Sequence, residues 1–320
     1  MRVSARVAHE PGMPMNIAAE AWLTVLIAVL GGALRVGTPF LFVSLGECLT
    51  EKSGRINLGL EGNLVMGAMV GYGVAWLTGS PWLGVLAAGG SGMLLGYLHA
   101  LLCQQPRVND IAVGIALMIL GVGLAFYLGK PLIQPSAPRL PTLSLGAWSD
   151  LPALRAALEI NVLFIIGAML AVAMVWFFRS TRWGLMLRIV GESEEAARAM
   201  GLRVNAVRMA ATVAGGFLAG VGGAFLSLYY PGGWSEGLSS GQGLMAVALV
   251  IFARWDPLRC LWASLLFGGA GALGPALQSA GVTGAYYLFN AAPYVLTLAL
   301  LIGASSSRTP SGMPGTLAAR

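Results

Sequence analysis

The chain has 320 residues; 57% are hydrophobic, only 10% are charged, 45 are Gly, the formal net charge is +6 and the mean hydropathy is +0.77. About a quarter of a soluble domain's residues are charged, so this composition excludes a soluble globular fold and leaves a polytopic, helical membrane protein. The positive charge is the kind membrane proteins gather in cytoplasmic loops and not a nucleic-acid surface; Cys48, Cys103 and Cys260 have neither metal nor redox spacing, so no metal site is expected.

Residues 1–18 hold Arg2, Arg6 and His9 without periodicity and read as a mobile tail. A transmembrane domain follows over 19–303. Its first apolar run, 22–45, is interrupted by Arg35 and Pro39. It is either one long bent helix or a helix followed by a re-entrant piece. Glu47, Glu51, Lys52 and Arg55 mark an aqueous boundary, after which Asn57, Glu61 and Asn63 enter a helix reaching residue 77. Residues 82–102 span next, with His99 near the end as a packing residue. A polar loop with Asn109 follows, then a span over 111–128. Gly67 and Gly71, Gly92 and Gly96, and Gly216 and Gly220 repeat the four-residue spacing that lets membrane helices approach closely.

The Pro-rich stretch 130–159 is expected as an external loop with a short interfacial helix near 152–158. Further spans are read at 160–178, 209–229, 243–253 (short), 261–277 and 291–302. A Gly/Ser loop covers 230–242, a polar turn 254–259, and a loop or half-helix 279–290 that ends at Asn290. The tail 304–320, rich in Ser, Thr, Pro and Gly, is expected to be disordered. The fold class is therefore all-α with about nine transmembrane helices, within bounds of eight to ten.

One stretch stands out. Between two apolar spans, 179–208 carries Arg179, Arg182, Arg188, Glu192, Glu194, Glu195, Arg198, Arg203 and Arg208. Ser193 is a good N-cap, Glu194 and Glu195 fall in a first turn, Ala196, Ala197, Arg198, Ala199 and Met200 continue it, and Gly201 is a stop. A helix this short is not stable alone in water, so it must dock on something. Gly191 and Gly201 are read as its hinges. With this stretch on the cytoplasmic side, most Lys and Arg fall inside, as the positive-inside rule requires. The N-terminus is then outside and the C-terminus inside.

Catalytic material is scarce. There are two histidines, His9 and His99, and no nucleotide-binding loop: Gly129-Lys130 is followed by Pro131, and Leu124 stands where that motif needs its first Gly. If the chain pumps, a separate subunit supplies the energy. Glu61 is the strongest acidic candidate for an ion-coupled carrier. The competing reading gives it a structural hydrogen bond to neighbouring broken backbone. Asn57, Asn63, Asn109 and Asn290 are polar groups near span ends that could line a pathway or serve as caps.

Two motifs carry a resemblance. Gly46, Glu47, Thr50, Glu51, Lys52, Ser53, Gly54, Asn57, Leu58, Gly59, Leu60, Glu61 and Gly62 form the first; Gly184, Arg188, Gly191, Glu192, Ala196, Ala197, Ala199 and Gly201 form the second. With the turn Trp255-Asp256-Pro257, they resemble the permease subunits of bacterial ABC importers in the branched-chain amino acid/ribose permease superfamily, nearest its purine nucleoside and simple sugar branch. That resemblance implies a type II ABC importer permease in the bacterial inner membrane. It also implies cytoplasmic ABC ATPase subunits that hold ATP and Mg, a second permease subunit (a copy or a different chain), and an external solute-binding lipoprotein or periplasmic protein. This chain itself would bind no cofactor and catalyse no reaction. The stretch 179–208 would be the coupling loop, with residues 191–201 seated on the ATPase. Sugar or other small-solute import, and an ion-coupled carrier of a different class, remain the alternatives.

Overall fold

Inside a bilayer every backbone amide and carbonyl needs a partner within the chain, and helices supply nearly all of them here. The computed structural model describes residues 15–105, 107–146, 148, 150, 152–279, 288–289, 291–305 and 312–318. Asn290, and most of the expected N-terminal tail, lie outside the described residues.

The first apolar run is one helix, α1 (Met15–Lys52), with Pro39 inside it. Arg35 is accommodated by pairing: its guanidinium donates to the Ala156 carbonyl and lies 3.9 Å from Glu159 Oε2. The helix runs on past residue 45 and stops at Lys52, inside the expected aqueous boundary. Glu47 and Glu51 are buried within it, because Asn57 N–H donates to Glu47 Oε1 at 2.8 Å and Trp255 Nε1 donates to Glu51 Oε2.

Then follow α2 (Leu60–Thr78), α3 (Pro81–Leu102) and α4 (Asp110–Gly129). The stretch 130–159 is not wholly helical. It contains α5 (Pro152–Ala157) and a two-stranded hairpin, β1 (Thr142–Ser144) antiparallel to β2 (Glu159–Asn161), in a register that sets Leu143 opposite Ile160. Asn161 ends the hairpin and caps α6 (Val162–Ser180) by accepting from Leu163 N–H at 2.8 Å. Next come α7 (Arg182–Glu192), α8 (Glu194–Ala199), α9 (Val204–Leu228), α10 (Gln242–Phe252), α11 (Pro257–Ser279), α12 (Ala292–Ser305) and α13 (Gly315–Ala318).

Among the described residues, six helices are long and apolar enough to cross a membrane, and not nine: α1, α3, α4 with its following turn, α6, α9 and α11. The other three expected spans are α2, α10 and α12. Glu61 and Asn63 sit at the start of α2. α10, with 11 residues, is about 17 Å long, roughly half of a bilayer's hydrocarbon core. The centre of the bundle is α9, which packs against α1, α2 and α3. The small-residue spacing makes this possible: Gly67 of α2 lies on Gly220 and Gly92 of α3 on the Gly216 carbonyl, so close that a Cβ at either position would overlap backbone. The expected disorder at 304–320 does not extend to 312–318, where Leu317 of α13 is buried.

Candidate functional site

The charged stretch folds into two helices joined at one residue. Thr181 caps α7, accepting from Gly184 N–H at 3.0 Å. Ser193, with extended backbone (φ −150°, ψ 116°), ends α7 and opens α8, its Oγ accepting from Ala196 N–H at 3.2 Å. Glu194 and Glu195 occupy the first turn of α8, where carboxylates favour the helix dipole. At the far end Gly201 adopts φ +76°. Gly201 N–H reaches the Arg198 carbonyl at 2.9 Å and Leu202 N–H the Ala197 carbonyl at 3.0 Å, a Schellman stop. Residues 193–200 are thus the helix and caps read from sequence.

Gly191 is no hinge. It lies within α7 and packs on the Lys52 carbonyl at the end of α1, with no room for a side chain.

α8 shows two faces. Ala197 is buried in a small apolar cluster with Val190 of α7 and Val204 of α9. Glu195, Ala196, Arg198, Ala199 and Met200 face outward, Met200 with 57% of its surface exposed. An open groove of about 520 Å³ runs beside this face, lined by Gln104, Arg198, Arg203, Asn205 and Met209.

Glu194 ties the helix to the bundle. It accepts from Arg198 Nη2 at 2.6 Å and from Arg208 Nη1 at 2.8 Å. The Arg198 hydrogen bond is the main reason its carboxyl is held below the usual range; Arg208 adds to the effect, and partial burial opposes it. Arg208, on α9 and buried, also donates from Nε to the Ser53 carbonyl at 3.1 Å in the turn after α1. A continuous polar link therefore runs from α8 through Arg208 to the α1–α2 turn. Arg208 was legible only as one more charge in the stretch, and nothing in the sequence paired it with Ser53.

The four pathway candidates among the described residues each serve a different local structure. Asn57 shapes the α1–α2 turn, its Oδ1 accepting from Gly59 N–H at 2.9 Å. Asn109 is the N-cap of α4, accepting from Ile111 and Ala112 N–H at 2.8 and 3.3 Å. Asn63 is buried in α2. Glu61 caps α10 from across the bundle. Its Oε1 accepts from Ser239 Oγ at 2.5 Å and Gly241 N–H at 3.2 Å, and its Oε2 from Gly243 N–H at 2.6 Å. The first N–H groups of a helix have no partner within it, and α10 begins inside the bundle, so a carboxylate is the fitting acceptor. Glu61 thus makes hydrogen bonds of a structural kind, to the start of a helix distant in sequence and not to its neighbouring backbone. Asp110, seen from sequence only as part of a polar loop, is buried in the first turn of α4 and pairs with Arg55 at 2.5 Å. No group of three His, Cys, Asp or Glu able to hold a metal ion exists among the described residues.

Residues 29–305 match the family model described as branched-chain amino acid transport system / permease component. A permease assigned to glucose ABC transport, TsgC13 of Haloferax volcanii, is 35% identical over 245 residues, covering 75% of this chain and 74% of its own. The nucleoside ABC transporter permease NupC of Lactococcus lactis subsp. cremoris is 30% identical over 311 residues, and the guanosine ABC transporter permease NupQ of Bacillus subtilis 28% over 312; each alignment covers 91% of this chain and 97% of the relative. The family match, the six apolar helices and these relatives agree: the chain belongs to the branched-chain amino acid transport system permease family, as a multi-pass, membrane-spanning permease subunit of ABC type.

Proposed function

We propose that this chain forms the translocation path of an ABC importer for a nucleoside, and that α8 is where the ATPase docks. The substrate class rests on one observation: the two relatives that align almost end to end, NupC and NupQ, are a nucleoside and a guanosine permease. A sugar is the second reading, favoured by the 35% identity to TsgC13. The chain acts beside a second permease subunit, identical or not, in the bacterial inner membrane. An external binding protein delivers the solute.

ATP and Mg belong to cytoplasmic ATPase subunits. α8 sits in a groove of that partner through the exposed side chains within residues 191–201, while Gly191 and Ala197 face the bundle. Support comes from its shape: a short helix capped at both ends, with an exposed outer face that includes Met200 and a groove beside it lined by Arg198 and Arg203. Its inner face bears on α7 and α9, and Glu194 links it through Arg208 to the α1–α2 turn. ATP-driven closure of the partner would push α8 as a rigid body, and the push would reach α1 and α9 together. The pathway residues keep the lesser role their geometry supports: Asn57, Glu61 and Asn109 hold backbone that shapes the path.

The test is solute-stimulated ATP hydrolysis in the reconstituted complex. Replacing both Glu195 and Arg198 with Ala should weaken ATPase capture and abolish stimulation. Unchanged capture together with unchanged stimulation would overturn the docking assignment.

A further inference from the structure

Residues 312–318 fill a gap between the end of α7 and the α1–α2 and α10–α11 turns. Pro314 and Leu317 are buried there, and Met313 reaches the main apolar core. Thr316 Oγ1 donates to the Gly191 carbonyl at 2.5 Å, and Gly315 N–H donates to Glu192 Oε2 at 3.3 Å. The last carbonyls of a helix lack intrahelical donors, and at the end of α7 the Thr316 hydroxyl supplies one. On the other side, the Thr316 hydroxyl and the Arg208 guanidinium occupy the space that a side chain on Gly54, in the α1–α2 turn, would need. Gly54 has φ +84°, a conformation that already favours glycine. Gly312 meets the Arg254 carbonyl in the turn between α10 and α11.

We propose that residues 312–318 are a strap that fastens the end of α7 to the turns leading into α2 and α11, with Thr316 as its positioning residue. The chain between α7 and α8 is extended at Ser193, so a push on α8 alone would bend there. The strap's contacts fall on Gly191 and Glu192, immediately before that bend. They turn the end of α7 and the two turns into one body, to which α8 is tied by Glu194 through Arg208, and a displacement of α8 is delivered to α1 and α11 instead of being absorbed at Ser193. The strap rests on the reading that α8 docks the ATPase; it adds that the C-terminal segment determines how much of the push arrives.

The test compares the full chain with Thr316→Val, Thr316→Ser and a chain ending at residue 311. Each is co-expressed with the ATPase and reconstituted with binding protein and nucleoside, and rates are taken per captured complex. All four forms should capture the ATPase and share its basal hydrolysis. Thr316→Val and the shortened chain should lose solute stimulation several-fold, while Thr316→Ser, which keeps the hydroxyl, should stay close to the full chain. Stimulation intact in both Thr316→Val and the shortened chain overturns the strap. Loss of ATPase capture on shortening also overturns it, since the segment would then be docking surface. Failure of the full chain itself to capture an ATPase is a different result, which overturns the docking assignment of α8.

Discussion

Glu61→Gln separates a structural carboxylate from a transporting one. Glu61 accepts three hydrogen bonds, from Ser239 Oγ, Gly241 N–H and Gly243 N–H, and is 8% exposed. A glutamine keeps one oxygen and turns an NH₂ group toward one of those donors. A hydrogen bond to a charged group is worth about 1.5–3 kcal/mol, and a buried donor left unpaired costs about 1–3 kcal/mol. The two figures describe the same lost bond, so the change should destabilise the start of α10 by about 2–3 kcal/mol. The assay is thermal unfolding of the detergent-solubilised complex beside nucleoside uptake in proteoliposomes. The variant should unfold several degrees lower and still transport, at a reduced rate, under conditions where it stays assembled. Unchanged thermal stability would refute the cap. Uptake abolished at unchanged stability would make Glu61 an ion- or substrate-binding group.

Four further substitutions test other parts of the structure. Gly92→Ala should destabilise by about 1–3 kcal/mol because its methyl meets the Gly216 carbonyl. Gly90→Ala, which meets nothing within 4 Å, should be neutral or slightly stabilising; equal denaturation midpoints for the two would contradict the α3–α9 seam. Arg208→Met should leave ATPase capture intact but cut solute stimulation several-fold, since it breaks the link from Glu194 to Ser53; full stimulation would show that the link carries nothing. Hydrogen bonding by Arg198 and Arg208 lowers the Glu194 carboxyl, so its contribution is complete above the usual carboxylate range and is lost as pH falls below that range. In Glu194→Gln the coupling ratio should thus already be reduced at neutral pH. In the parent chain it should hold steady from neutral pH down to that range, and a fall before then would point to another group.

The sequence revealed α8 in detail because its signals are local. Ser193 as cap, Glu194 and Glu195 in the first turn and Gly201 as stop are each read within a few residues of one another. The apolar segments were legible for the same reason. What was hidden depends on contacts distant in sequence. Glu47 and Glu51 look like a water boundary, and only Asn57 and Trp255 folding over them make burial possible. α10 looked like a span cut short; it is a helix that begins inside the bundle and needs Glu61, from another helix, as its cap. Residues 312–318 have a disorder-like composition, yet Thr316 and Leu317 find a crevice that only the packed turns create.

On the proposed function, nucleoside crosses the membrane only while an ATPase is docked on α8. This dependence is tested most directly by placing a single cysteine at Ala199, on the exposed face of α8, and measuring cross-linking to the ATPase and labelled nucleoside uptake in the same vesicles. Cross-linking should occur, and uptake should require ATP and stop when the link is made. Uptake that persists after ATP depletion, with no ATPase recovered, would contradict it.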